Sequence, residues 1–403
     1  MLLRIQRLAC YSCVAVALLS HAVSTGFGQE TDSEELEAML EREIEQTGEG
    51  GVNPQLEVRN PKVQEAANQF LQRNFKEAER LMKEAKAENP TLPPAGVLLG
   101  SLYSRSNNPL AARGAYETAV RDEPDDPEPY VVFGENAIRQ RRFTDAALLF
   151  DKAVIVADAY DANDERKKNL SIRAYLGAAL VAQAREQWDD AENWLRKTME
   201  LRGEDTTLSQ RLGQILFKKS EAIEDPEARK DAEQVAYREF QNAYNLDTQK
   251  VARPEINMAR MYQASGREKN AKKLVSKARE RDPDGLATQV AAAQWAIDSG
   301  DQEMLADCAA AAMRIDGNSI EALVLDGFQK RLADDYVGAE AAFRAAHATA
   351  PSNATVLNQL AISLAEQPDE RKKKQALEFA QMSSRMHTDL KRSVAREAAV
   401  TLG

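Results

Sequence analysis

The side chains of this 403-residue chain that could do chemistry are few, and their spacing does not suit it. His347 and His387 are the histidines beyond the N-terminal thirty residues, and neither has a cysteine or carboxylate motif at metal-ligand spacing. Paired carboxylates can serve general acid–base work. Here the pairs Asp125-Asp126, Asp189-Asp190 and Asp334-Asp335 fall at expected turns between helices, where Asp favours turn and cap geometry. No G-x-x-x-x-G-K-[ST] phosphate loop occurs, and Gly48, Gly50 and Gly51 lie in a linker with no strand before them. No G-x-S-x-G elbow is present. The expectation is a protein that is not an enzyme, with no catalytic residue, no cofactor and no metal.

The N-terminus places Arg4 and Arg7 before an apolar run from Leu8 to Leu19, followed by Ser24, Gly26 and Gly28. A basic region, a short apolar core and a small-x-small site read as a signal peptide over 1–28, cleaved before Gln29. The run is short of the roughly 20 apolar residues of a spanning helix, so no membrane span is expected after cleavage. An uncleaved anchor is the alternative. The expected location is periplasmic or extracellular. Cleavage removes Cys10 and Cys13 and leaves Cys308, among Ala306, Ala309, Ala310 and Ala311, as a buried small hydrophobe. It also lowers the count of basic residues from 53 to 51 against 64 acidic ones, a net charge of −13. That charge argues against binding to nucleic acid or anionic membranes.

The elements that would position any site carry the stronger signal. Ala78, Ala112 and Ala146 are spaced by 34 residues, as are Ala271, Leu305 and Ala339. Seven residues after each comes another small residue: Ala85, Ala119, Ala153, then Ala278, Ala312, Ala346. Turn or stop positions follow at Pro90, Pro124, Asp158, Pro283, Gly317 and Pro351. Such a period marks helix–turn–helix units that must stack to bury their apolar faces.

Within the period, residues 93–126 carry Leu99-Gly100, Tyr103, Ala112, Tyr116, Ala119 and Pro124. Residues 127–160 repeat the theme with Phe133-Gly134, Phe143, Ala146, Phe150 and Ala153, and 252–285 with Met258-Ala259, Tyr262, Gly266, Ala271, Val275, Ala278 and Pro283. Residues 320–353 follow with Gly327, Tyr336, Ala339, Phe343, Ala346 and Pro351. This pattern resembles the tetratricopeptide repeat (TPR) family. The resemblance implies an all-α, right-handed α-solenoid of about nine helix–turn–helix repeats with a C-terminal capping helix. Small residues would let helix axes approach closely, aromatic residues would fill the space between hairpins, and proline would end the second helix.

The organisation expected is a signal peptide at 1–28, an acidic helix and flexible linker at 29–58, and a regular block at 59–158. Repeats with insertions follow at 159–251, a second block at 252–388, and a capping helix or truncated repeat at 389–403. From Ala146 the small positions run to Ala191, Ala236 and Ala271, steps of 45, 45 and 35. The first extra stretch, 159–169, reads as a polar loop, and Pro226 marks a break in the second. Glu34 to Gln46 sets Leu36, Leu40 and Ile44 on one helical face, a docking or self-association helix or a loose acidic tail.

In arrays of this family the first helix of each repeat builds the inner wall. The resemblance therefore places Arg105, Glu135, Arg139, Gln210, Gln214, Lys218, Asn257, Arg260, Gln294, Phe328, Arg331 and Asn358 there. The Lys/Asn carboxylate clamp of some members is not reproduced. Arginine and amide groups suit an extended, partly acidic polypeptide held by backbone and carboxylates. The function expected is a protein-interaction scaffold of the cell envelope with a protein or peptide partner. The rival readings are a self-assembling or glycan-associated structural protein, and an accessory subunit of a secretion or polysaccharide-export system.

Overall fold

The computed structural model describes residues 60–386. The expected signal peptide, the acidic helix and linker, His387 and the capping helix or truncated repeat lie outside them. The described residues form eighteen α-helices and no strand, and pack as two units that divide between Ala236 and Tyr237. The first unit holds α1 (Pro61–Leu71), α2 (Phe75–Glu88), α3 (Ala95–Arg105), α4 (Pro109–Asp122), α5 (Glu128–Arg139), α6 (Phe143–Ala159), α7 (Asp164–Ala184), α8 (Trp188–Arg202) and α9 (Thr206–Glu221). Helix α10 (Pro226–Leu246) contains the division. The second unit continues with α11 (Pro254–Ala264), α12 (Glu268–Arg281), α13 (Leu286–Ser299), α14 (Gln302–Asp316), α15 (Ile320–Leu332), α16 (Tyr336–Thr349), α17 (Ala354–Ala365) and α18 (Glu370–Met386). Within each unit successive helices pack against one another as helix–turn–helix hairpins, so each unit is an all-α stack of repeats.

Backbone atoms close the turn inside each regular hairpin. The first helix ends on a residue of positive φ, in order Arg73, Asn107, Arg141, Glu186, Gly266, Gly300 and Asp334. The next N–H then reaches back to the helix, as in Asn74 to Gln69 O at 2.9 Å, Arg142 to Ala137 O at 2.8 Å and Arg267 to Tyr262 O at 2.7 Å. This is the Schellman closure of otherwise orphaned carbonyls. Side chains cap several helix starts: Asn60, Asn163, Asp205, Asp301, Ser319 and Asn353 each accept from a backbone N–H of the first turn.

The 34-residue ladder is buried throughout. Ala78, Ala112, Ala146, Ala271, Leu305 and Ala339 are all inside, as is Cys308. The small residues do what close approach requires. A Cβ at Gly96 would lie 2.5 Å from Ala115 O, and one at Gly134 would lie 2.7 Å from the Phe150 ring. A Cβ at Gly177 would lie 2.2 Å from the same ring, so Phe150 of α6 packs close to glycines of both α5 and α7. Tyr116 covers Gly100 and Phe343 covers Gly327 in the same manner.

One expectation is corrected. The stretch 159–169 is not mainly a loop, because α6 continues to Ala159 and α7 already begins at Asp164. Asn163 caps the new helix, with Oδ1 accepting from Arg166 N at 2.9 Å, and Asp164 and Glu165 suit its positive N-terminal end. Polarity there marks a helix start rather than a loop. The break expected at Pro226 is present, since α9 ends at Glu221 and Pro226 opens α10.

Candidate interaction surface on the first helices of the hairpins

The two helices of a hairpin have different surroundings. The second helix buries one stripe, such as Ala271, Val275 and Ala278 of α12, and leaves its other faces to water. The first helix is buried almost all round: in α5 residues 128–132, 134, 135, 137 and 138, and in α11 residues 254–261. A polar side chain on a first helix that does not face its own partner helix therefore lies against the neighbouring first helices or the crowded inner side. Burial there is costly unless the group finds a partner.

In the first unit several inner polar groups pair with each other, although among the described residues Ser209 Oγ of α9 is buried without a hydrogen-bond partner. Arg173 of α7 donates Nε to Glu135 Oε1 and Nη2 to Glu135 Oε2, both at 2.9 Å, with Glu135 only 2% exposed. Burial works against the Arg173 charge, but the Glu135 carboxylate outweighs it and raises the guanidinium further above its usual range. Arg166 clamps both oxygens of Asp126 at 2.7 and 2.8 Å, reaches Glu128 Oε2 at 2.7 Å and donates to Tyr160 Oη at 2.6 Å. Arg211 donates to Gln183 Oε1 at 2.6 Å. Of the wall residues expected here, Glu135 and Gln214 are buried, Gln210, Arg139 and Lys218 are half-buried, and Arg105 is exposed. Arg139 donates to Asn136 Oδ1, and Lys218 pairs with Glu221 at 3.1 Å.

The second unit differs. Asn257 and Arg260 of α11, Gln294 of α13, Phe328 and Arg331 of α15, and Asn358 of α17 are all buried. The Arg331 guanidinium lies 4.9 Å from the centre of the Phe328 ring, a cation–π contact. Gln294 Nε2 donates to Asp298 Oδ1 at 2.8 Å. Asp298 touches water, yet the protein crowding round it pushes its carboxyl up to about 6, with Arg260 and the Gln294 hydrogen bond pulling the other way. Among the described residues, Asn257 Nδ2, Gln294 Oε1 and both ends of the Gln359 amide are buried without a hydrogen-bond partner.

Arg166, Arg173, Asp298 and Gln359 were not anticipated from the sequence. For the two arginines a signal was available: charged residues within a stretch whose 34-residue period had slipped, facing acids about 38 to 40 positions earlier. Among the described residues, no group of three or more His, Cys, Asp or Glu could hold a metal ion, and no helix is long and apolar enough to cross a membrane.

Fold and surface define a class: stacked helix–turn–helix hairpins whose first helices carry buried arginine and amide groups. No family model and no curated protein matches the sequence. Solved structures similar to it include a tetratricopeptide repeat protein from Parabacteroides merdae, 14% identical, covering 67% of this chain and 97% of that one at a TM-score of 0.37. PilF of Pseudomonas aeruginosa is 16% identical, covering 58% and 96% at 0.34. Yeast Tom70 is 12% identical, covering 85% and 95% at 0.33. None of these likenesses lends this chain a partner.

Proposed function

We propose that this protein is an exported, non-enzymatic interaction scaffold, and that its second unit holds an extended, partly acidic polypeptide against α11, α13, α15 and α17. The observation that carries the reading is the set of buried amides without partners, Asn257 Nδ2, Gln294 Oε1 and the Gln359 amide. Each such group costs on the order of 1–3 kcal/mol when left unsatisfied. Buried polar atoms of this kind call for an explanation, and a ligand supplies one. A peptide backbone offers an N–H donor and a C=O acceptor at each residue, the two functions an amide side chain complements. A bound strand reaches them by drawing the amides outward. Arg260 and Arg331 supply positive charge for its carboxylates. The first unit, whose inner charges already pair among themselves, serves as a stiff support. Export is read from residues 1–28, and the setting is the cell envelope.

The test is selection of twelve-residue peptides on the purified protein, followed by calorimetry with the winners. Asn257→Leu with Gln294→Leu should weaken binding at least tenfold while helicity stays constant. A selection that yields no binder, or binders indifferent to the double change, overturns the proposal.

A further inference from the structure

The outer side of the first unit carries a feature that the inner wall does not use. Between α2 and α4 lies a cleft of about 530 Å³, floored by Leu99 and Tyr103 of α3. It exists because α4 is thin where its neighbours are thick. Ala115 falls where Leu81 and Leu149 stand one period away, and Gly114 falls where Arg80 and Leu148 stand. A Cβ added at Gly114 meets nothing within 4 Å. Phe75 lines the cleft and is 42% exposed, an apolar ring left to water.

We infer that the occupant is this chain's own segment 34–46, seated in the cleft as an amphipathic helix. Three facts favour it over other partners. The first is length: Leu36, Leu40 and Ile44 recur every four residues, a stripe of about 12 Å at 1.5 Å per residue. The cleft follows α2 from Phe75 to Ala87, about 18 Å on the same measure.

The second is reach. Residues 47–60 join the segment to α1, and an extended chain of that length spans up to about 46 Å. The start of α1 already lies beside the end of α2, where Lys62 Nζ meets Glu88 Oε1 at 2.5 Å. The third is charge. The segment contains Glu34, Glu35, Glu37, Glu41, Glu43 and Glu45 against Arg42. On a protein of net charge −11, the cleft gathers Lys76, Lys83 and Lys86 on its α2 rim, with Glu79 among them and Asp122 and Glu123 at the α4 end, so the bases near the Phe75 end are the ones open to the segment's glutamates. Lys83 pairs with Glu79 and Lys86 with Glu123, while Lys76 stands exposed at the Phe75 end. An isolated helix of this length is marginal in water, so the segment gains its helix by docking.

The inference stands apart from the inner wall, and its test needs no ligand. In hydrogen-exchange mass spectrometry of the full chain, amides 34–46 should exchange at least tenfold more slowly than an unstructured peptide. Gly114→Trp fills the cleft and should abolish that protection while the amides of α1–α4 keep theirs. Leu40→Asp, which puts a charge on the segment's own apolar stripe, should do the same. A Leu40→Cys, Ala115→Cys variant with Cys10 and Cys13 changed to Ser should crosslink within one chain through a short bismaleimide. Exchange at the unstructured rate, protection that survives Gly114→Trp, or crosslinks formed only between chains each overturn it, the last in favour of a second copy.

Discussion

Replacing Gly177 with Ala tests the packing by the sign of the result. In the interior of a helix, Ala is favoured over Gly by about 1 kcal/mol, so propensity alone makes Gly177→Ala stabilising. The structure reverses that expectation. A Cβ at Gly177 would lie 2.2 Å from the Phe150 ring, and the ring has little room to move, because it is also packed close to Gly134 of α5, where a Cβ would lie 2.7 Å away. Phe150 is fully buried. Overpacking of a filled core costs about 1–3 kcal/mol. Subtracting the propensity gain leaves a net loss of roughly 0–2 kcal/mol. Gly114→Ala supplies the control: it also sits inside a helix, its Cβ meets nothing, and it should stabilise by about 0.5–1 kcal/mol. Changing Phe150 to Leu first should convert the Gly177→Ala loss into a gain. Urea unfolding followed by circular dichroism gives the signs, and hydrogen exchange in α5–α7 localises them. If Gly177→Ala stabilises as much as Gly114→Ala, the close approach is wrong.

Three further outcomes are expected. Arg173→Met should destabilise by about 3–5 kcal/mol, because it strands the buried Glu135 carboxylate. Adding Glu135→Leu should restore much of that loss, and a double-mutant cycle in urea measures it. Glu340 is held at about 2: burial alone would raise it, but Lys372, Gln367 and Arg344 donate to the carboxylate at 2.7, 2.9 and 2.8 Å. A carboxyl depressed on folding stabilises above its ordinary 4.5 and loses that contribution as pH falls toward 2. Glu340→Gln should therefore cost about 1–2 kcal/mol at pH 7 once solvent screening is allowed for, with wild type and variant converging near pH 2 in parallel melts. Cys308, whose thiol burial pushes up to about 12, should resist a thiol-reactive dye until the protein unfolds, which a kinetic trace in rising urea reads directly.

The helices were legible because their signals are local and repeated. Ala78, Ala112 and Ala146 are small for one steric reason, and Gly266 and Gly300 stand at positive φ, where the backbone freedom of a residue without Cβ is used. What the sequence hid was long-range. Nothing local in Asp126 says that Arg166 will clamp it forty residues later, so it reads as an ordinary turn aspartate. The stretch 159–169 was misread for the same reason: its charges look solvated until their buried partners are known. Asn257 and Asn358, expected on an inner wall, are buried on the first helices α11 and α17, a depth that depends on how tightly neighbouring helices crowd them.

The turn inside each regular hairpin has a consequence for how such a chain can change length. The joint at Arg73, Asn107, Arg141 and Glu186, and again at Gly266, Gly300 and Asp334, is made by backbone atoms, so it does not depend on which side chain stands there. Cutting the gene at two equivalent joints and deleting or duplicating the piece between them would leave every remaining joint chemically intact. Copy number is thus editable in the regular stretches without redesign. Between α9 and α10 no residue of positive φ marks the turn, and a piece spliced across that point would have no matching end.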